Sequence, residues 1–162
     1  MKVEIYHASK YGNGAMVAEE IKRLMGAKGN EVNIHHVREA SPNDLPPANL
    51  YIFGSPTHFG RATGGMVRFL KKLTIPSGTR YAVFATFSAA RPDKKTGKMP
   101  SEEELEKSRR TILMIDGPLQ SKGMTKVAEM SAFVHPENMK GPLEEGWQGI
   151  VQAFVAEMLR TP

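Results

Sequence analysis

The residues whose types and spacing could do chemistry lie in two short stretches. Ala8-Ser9-Lys10-Tyr11-Gly12-Asn13-Gly14-Ala15 is small, hydroxyl-bearing and rich in glycine. It follows Lys2–His7, which reads as a strand, and precedes Met16, Val17, Ile21, Leu24 and Met25 at helical spacing. Between a strand and a helix, such a loop lets successive backbone N–H groups curl around an anion. The positive end of the helix adds attraction, and the ligand this favours is a phosphate. The alternative is an ordinary turn whose Gly and Asn serve only to reach positive φ. Lys10 is followed by Tyr11 in place of Ser or Thr, and the GxxxxGK[ST] spacing is absent, which argues against a nucleotide triphosphatase.

The second stretch is Gly54-Ser55-Pro56-Thr57-His58-Phe59-Gly60-Arg61-Ala62-Thr63. It follows Leu50-Tyr51-Ile52-Phe53, a continuous apolar run expected of a strand covered on both faces. Phe59 is a large apolar side chain in a polar loop; it either stacks on a planar ligand or folds back onto the core. His58 has no paired carboxylate to make it a base and reads as a hydrogen-bonded loop residue.

Composition narrows the field. The chain has 162 residues, 40% hydrophobic and 24% charged, with a formal charge of +5 and no cysteine. That length suits one domain over 1–162. The missing thiols exclude disulfides, thiolate nucleophiles and cysteine-held zinc or iron–sulfur clusters. From residue 45 to residue 92 there is no acid, yet Arg61, Arg68, Lys71, Lys72, Arg80 and Arg91 fall there, giving a cationic side that attracts anions. Zinc-finger spacing, basic heptads and aromatic RNA-binding strands are all missing, so nucleic acid is not the expected partner. No run approaches the ~18 apolar residues of a membrane span, and the start is too short and polar for a secretory signal. No membrane association and a cytoplasmic location are expected.

Strand and helix signals alternate to position these loops. Strands are expected at 2–7, 31–37, 50–54, 81–87 and 125–134. A helix from about Gly64 to Leu73 turns Met66, Val67, Leu70 and Leu73 inward. Ser101-Glu102-Glu103-Glu104 opens another with a capping box, burying Leu105, Ile112 and Ile115 and stopping near Gly117-Pro118. Leu143, Trp147, Ile150, Val151, Phe154, Val155 and Met158 line one face of the last helix. Strict alternation implies a parallel sheet with right-handed crossovers, hence an α/β three-layer sandwich of five strands in the order 2-1-3-4-5 with helices on both faces. Ligands then sit at the carboxyl ends of strands 1 and 3, where both loops emerge.

Ser9-Lys10-Tyr11-Gly12-Asn13-Gly14 resembles the FMN-phosphate loop of flavodoxins, and Asn49–Thr57 resembles their third strand and second flavin loop. Tyr11-Gly12 and Pro56-Thr57-His58-Phe59-Gly60 are also similar to tryptophan-repressor-binding-protein type NAD(P)H:quinone oxidoreductases, which are generally longer. The resemblance implies a flavodoxin-like fold holding non-covalent FMN, with the phosphate on the amides of Ser9, Lys10, Tyr11, Gly12, Asn13 and Gly14 and on the Ser9 hydroxyl. The isoalloxazine would lie between Ser55, Pro56, Thr57, His58, Phe59, Gly60 and Arg61 on one side and Thr86, Phe87 and Ser88 on the other, with Phe59 stacking. It also implies that the Gly60–Arg61 peptide, or Phe59–Gly60, turns its carbonyl toward the flavin on reduction.

Three departures stand out. Gly14 replaces the family's usual Thr, no Tyr or Trp lies between Ser88 and Ser101, and the surroundings are basic where electron-transfer relatives are acidic. The expected function is an electron carrier between redox partners, with acidic partners such as a ferredoxin-like protein or a reductase. Arg61 is expected to favour the reduced cofactor. The alternative is an NAD(P)H-dependent quinone or small-acceptor oxidoreductase, with Arg91, Lys94, Lys95 and Lys98 near a 2′-phosphate. Gly12-Asn13-Gly14 only approximates a dinucleotide fingerprint, and a phosphorylation receiver would need acids where His7 and Gly54 stand.

Overall fold

A computed structural model describes residues 1–161; Pro162, the end of the expected domain, lies outside the described residues. The described residues form six strands: β1 (Lys2–His7), β2 (Glu31–His36), β3 (Leu50–His58), β4 (Arg61–Ala62), β5 (Arg80–Ser88) and β6 (Thr125–Val134). The five long strands pair in parallel in the order β2-β1-β3-β5-β6, while β4 pairs antiparallel with the end of β3. The expected 2-1-3-4-5 order is therefore the arrangement of the parallel strands, with the two-residue β4 added at the loop.

The helices are α1 (Asn13–Gly26), α2 (Gly64–Lys72), α3 (Glu102–Ser108), α4 (Thr111–Ser121) and α5 (Trp147–Arg160). Alternation along the strands sends Val3, Ile5, Leu50, Ile52, Ala82 and Phe84 into one core with α1 and α5. Tyr6, Tyr51, Phe53, Tyr81 and Val83 enter the second core with α2 and α4. Both faces of the central strands are thus dry, as the uninterrupted apolar run of β3 requires.

Two local expectations need correction. The helix expected from 101 to about 117 is broken at Arg109-Arg110, and its second part runs through Pro118 to Ser121. Pro118 forfeits one backbone bond near the helix end, while Ile115 and Leu119, both fully buried, pin that last turn to the core. The break has a purpose: Arg110 N–H donates to Gly60 O at 2.9 Å, so the chain leaves helical geometry to clasp the β3–β4 hairpin. The Ser101 box forms, with both bonds at 3.2 Å, yet α3 buries no residue, and Leu105 is only half-buried. At the carboxyl end, Leu143 precedes the helix and bridges Val134, and Ile150 lies at the surface. The inward stripe is Val151, Phe154, Val155 and Met158, with the partly buried Trp147 packed against the same core.

Candidate functional site

Ser9 is held on both sides of its peptide. Its N–H donates to His7 Nδ1 at 3.1 Å, and His36 Nε2 lies 3.0 Å from its carbonyl oxygen. Arg38 N–H donates to His36 Nδ1 at 3.1 Å, which assigns the His36 proton to Nε2 as the donor to Ser9. Ser9 Oγ accepts from Gly12 N–H at 3.1 Å and keeps its own proton for a ligand. Gly12, at φ 98, turns the chain into α1. On either side of it, the N–H groups of Lys10, Tyr11, Asn13, Gly14 and Ala15 have no acceptor among the described residues. Asn13 Nδ2 ties the loop to Met139 O at 3.1 Å.

Gly14 is explained by crowding. A Cβ there would lie 3.3 Å from Ser9 Cβ and 3.8 Å from the Phe84 ring. The space that a threonine side chain takes in the family's usual loop is here bounded by Ser9 and Phe84.

The second wall is the β3–β4 hairpin. Phe59 (φ 53) and Gly60 (φ 75) are consecutive left-handed residues, the geometry of a tight two-residue hairpin. Phe59 is held fully out in solvent at the tip, at 103% exposure, so it does not fold back onto the core. A Cβ on Gly60 would sit 3.1 Å from Lys107 O and Ser108 Cα, so only glycine lets α3 close on the hairpin. The Gly60 carbonyl is occupied by Arg110 N–H, whereas the Phe59 carbonyl accepts nothing among the described residues.

Two adjoining clefts result. A narrow one, with about 30 Å³ of room for water-sized groups, is lined by Ser9, Lys10, Tyr11, Asn13, Gly14, Pro56, Thr57, His58, Thr86, Phe87 and Ser88, together with Val134 and Met139. A wider one, about 410 Å³, shares Thr57, Phe87 and Ser88 with it and adds Phe59, Gly60, Leu105, Ser108 and Arg109. Three expected residues line neither cleft. Gly12 only shapes the loop. Ser55 is buried, its hydroxyl donating to Pro56 O at 2.8 Å and accepting from Thr63 N–H at 3.1 Å. Arg61 is exposed on β4.

Arg109 is the residue that sequence reasoning missed. Its guanidinium lies 5.8 Å from the Phe87 ring centre and 5.0 Å from that of Phe133, with no carboxylate within salt-bridge distance among the described residues. Burial lowers its pKa from the usual arginine value, although a guanidinium remains charged. The residue falls outside both loops, in a helix–helix break that the sequence reads as continuous helix. His58 Nε2 is buried with no partner, and burial, aided by Lys10, lowers the pKa of its ring.

These features fit a flavin mononucleotide. Five free N–H groups at the amino end of α1, the Ser9 hydroxyl and Lys10 suit the phosphate. The wider cleft, edged by an exposed aromatic and a stacked arginine, suits a planar ring. Among the described residues no group of three His, Asp or Glu could hold a metal ion, and no helix is long and apolar enough to cross a membrane.

A family model described as Flavodoxin matches residues 5–130. No curated protein matches the chain. Oxidised flavodoxin 2 from Bacillus cereus superposes with a TM-score of 0.75 at 20% identity, covering 100% of both chains. The Streptococcus pneumoniae TIGR4 flavodoxin gives 0.72 at 19% identity, again over 100% of both. Rubredoxin oxygen:oxidoreductase from Desulfovibrio gigas gives 0.63 at 15% identity, covering 98% of this chain and 36% of that one.

Proposed function

Because the chain belongs to the flavodoxin family of FMN-binding electron-transfer proteins, we propose how its own residues hold and serve that cofactor. Domain 1–162 is read as one FMN-binding unit. The phosphate would take the free amides of Lys10, Tyr11, Asn13, Gly14 and Ala15 and the Ser9 hydroxyl, and the ring would enter the wider cleft between Phe59 and Phe87. The observation that carries this reading is the set of unpartnered N–H groups at the same sheet edge as the two-walled cleft. FMN supplies the electron-accepting ring; the protein binds it, sets its surrounding charge and leaves one edge reachable.

Ser9→Ala removes a donor to the phosphate and the acceptor for Gly12 N–H. A hydrogen bond to a charged group contributes about 1.5–3 kcal/mol. FMN should bind roughly ten- to a hundredfold more weakly, read from quenching of flavin fluorescence. An affinity within twofold of the parent protein would remove Ser9 from the site.

The expectation about Arg61 passes to Arg109, since Arg61 lies outside the cleft. A cation beside the ring favours the reduced, more negative cofactor by Coulomb attraction. Arg109→Gln should move the midpoint potential to more negative values, on the order of tens of millivolts, with Arg61→Gln near the parent. Equal shifts in both variants would reject the assignment.

For partners, the acid-free stretch of residues 45–92 supports acidic redox proteins, docked electrostatically and weakened by salt, in the cytoplasm. The alternative of direct NAD(P)H oxidation rests on the 91–98 loop. There Arg91, Lys94, Lys95 and Lys98 share their recess with Asp93 and Glu104, and two carboxylates beside a phosphate are unfavourable. Carrier function is therefore the preferred reading. Steady NADPH oxidation with a quinone, in the absence of any reductase, would reverse that preference.

A further inference from the structure

A separate cavity of about 380 Å³ opens on the α2 side of the sheet edge, between the loop after β1, the turn after β2 and the start of α2. Three basic side chains from three different elements line it: Lys10, Arg38 and Arg68. None lies within 4 Å of a carboxylate among the described residues, and no acidic residue lines the cavity. Like charges gathered without a counter-charge repel one another, so the arrangement stores affinity for an anion.

The Arg68 guanidinium makes the point sharper. Its Nη1 folds back to 3.3 Å from where a Gly64 Cβ would lie, placing a cation over the positive amino end of its own helix. Thr63 caps that helix by accepting Met66 N–H at 3.2 Å, which leaves Gly64 and Gly65 N–H without acceptors among the described residues. Both glycines line the cavity. The histidines add no counter-charge, since an imidazole carries no negative charge, and the His36 ring nitrogens are spent on Ser9 and Arg38.

We propose that this cavity binds the phosphate of a small phosphorylated organic molecule. Two guanidinium forks and two free N–H groups match the three terminal oxygens and double charge of a phosphomonoester better than the single charge of a carboxylate, while Lys10, shared with the cofactor phosphate, stands between the two sites. The volume exceeds that of a bare phosphate, leaving room for the organic part. Lys10 and His58 also line the narrow cofactor cleft, so the two cavities share a wall. The bound molecule would then lie beside the cofactor, on the opposite side from the Phe59–Phe87 cleft.

The test uses FMN-loaded protein, so that the 9–14 loop is already filled, at low ionic strength. Inorganic phosphate, glycerol 3-phosphate and succinate are titrated while backbone amide resonances are followed. Saturable shifts at Gly64 and Gly65 with both phosphates, weakened at least tenfold in Arg38→Gln/Arg68→Gln, are expected. Both arginines are exposed, so the variant should fold; its FMN affinity, measured separately, should stay within twofold of the parent. Shifts confined to residues 9–14, no saturation, or succinate binding as tightly as phosphate would each overturn the proposal. Loss of FMN binding in the parent protein would instead overturn the cofactor reading and leave this one standing.

Discussion

Gly54→Ala is expected to lower stability by about 3 kcal/mol. A Cβ at Gly54 would lie 2.0 Å from Phe84 Cζ and 2.3 Å from both Cε atoms, inside the ring's own contact distance. Phe84 cannot step aside easily, because it is 1% exposed and packed within the core under α1 and α5. Gly54 pairs with His7 on one side and Phe84 on the other, so the damage falls at the end of the two central strands, where the 8–15 loop and the β3–β4 hairpin leave the sheet. Overpacking a core usually costs about 1–3 kcal/mol, and the small gain in strand propensity over glycine does not offset it. Urea unfolding should show the loss, with a fall in melting temperature of roughly 6–12 °C for a chain of this size. The Phe84 ring also approaches Gly14, so FMN affinity should fall as well. Adding Phe84→Leu makes room for the new methyl and should recover more than half of the loss, a coupling that independent sites would not show. A Gly54→Ala protein within about 0.5 kcal/mol of the parent would refute this account of the packing.

The parallel order was legible because hydrophobic alternation and the unbroken run at 50–53 each encode burial, and burial determines strand placement. The turn that opens α1 with free amides was legible for a similar reason: Ser9, Gly12 and Asn13 are residues that turns and helix starts use for physical causes visible in one short window. What could not be read were properties set by distant partners. Gly54 announces a turn or close approach, but only the neighbouring β5 shows that the intruder is Phe84. Arg109 sits in what reads as a continuous amphipathic helix, and the break depends on a bond from Arg110 to Gly60, fifty residues earlier in the chain. Phe59 was undecided between stacking and burial, because residue type is the same in both cases; a left-handed hairpin tip settles which way it points. Arg38 and Arg68 are unremarkable in sequence, since surface arginines are common, and only the fold gathers them with Lys10.

Acid should undo the frame around Ser9 in a way that one substitution isolates. His7 is 7% exposed and accepts Ser9 N–H on Nδ1, and burial, reinforced by the neighbouring His36, lowers its pKa to about 4. The ordinary value of about 6.5 applies in the unfolded chain. Between these two values the unfolded state binds the proton and the folded state resists it, so folding loses stability as the pH falls through that window. The contribution is fully present above pH ~6.5 and is gone by about pH 4, on the order of 3 kcal/mol in all. His58, whose pKa is lowered by its burial and by Lys10, adds in the same direction, and the carboxylates Glu20 and Asp93, held below their usual range, are lost only at still lower pH. His7→Asn separates the terms: its side-chain oxygen replaces Nδ1 as the acceptor for Ser9 N–H but does not titrate. Urea unfolding of FMN-free protein from pH 7.5 to 4.5 should show a steep loss in the parent and a clearly shallower one in the variant. The Ser9 amide resonance should broaden or move in acid only when His7 is present. Parallel pH profiles for the two proteins would mean that His7 charges freely in the folded state, and that the loop is held by something other than its neutral ring.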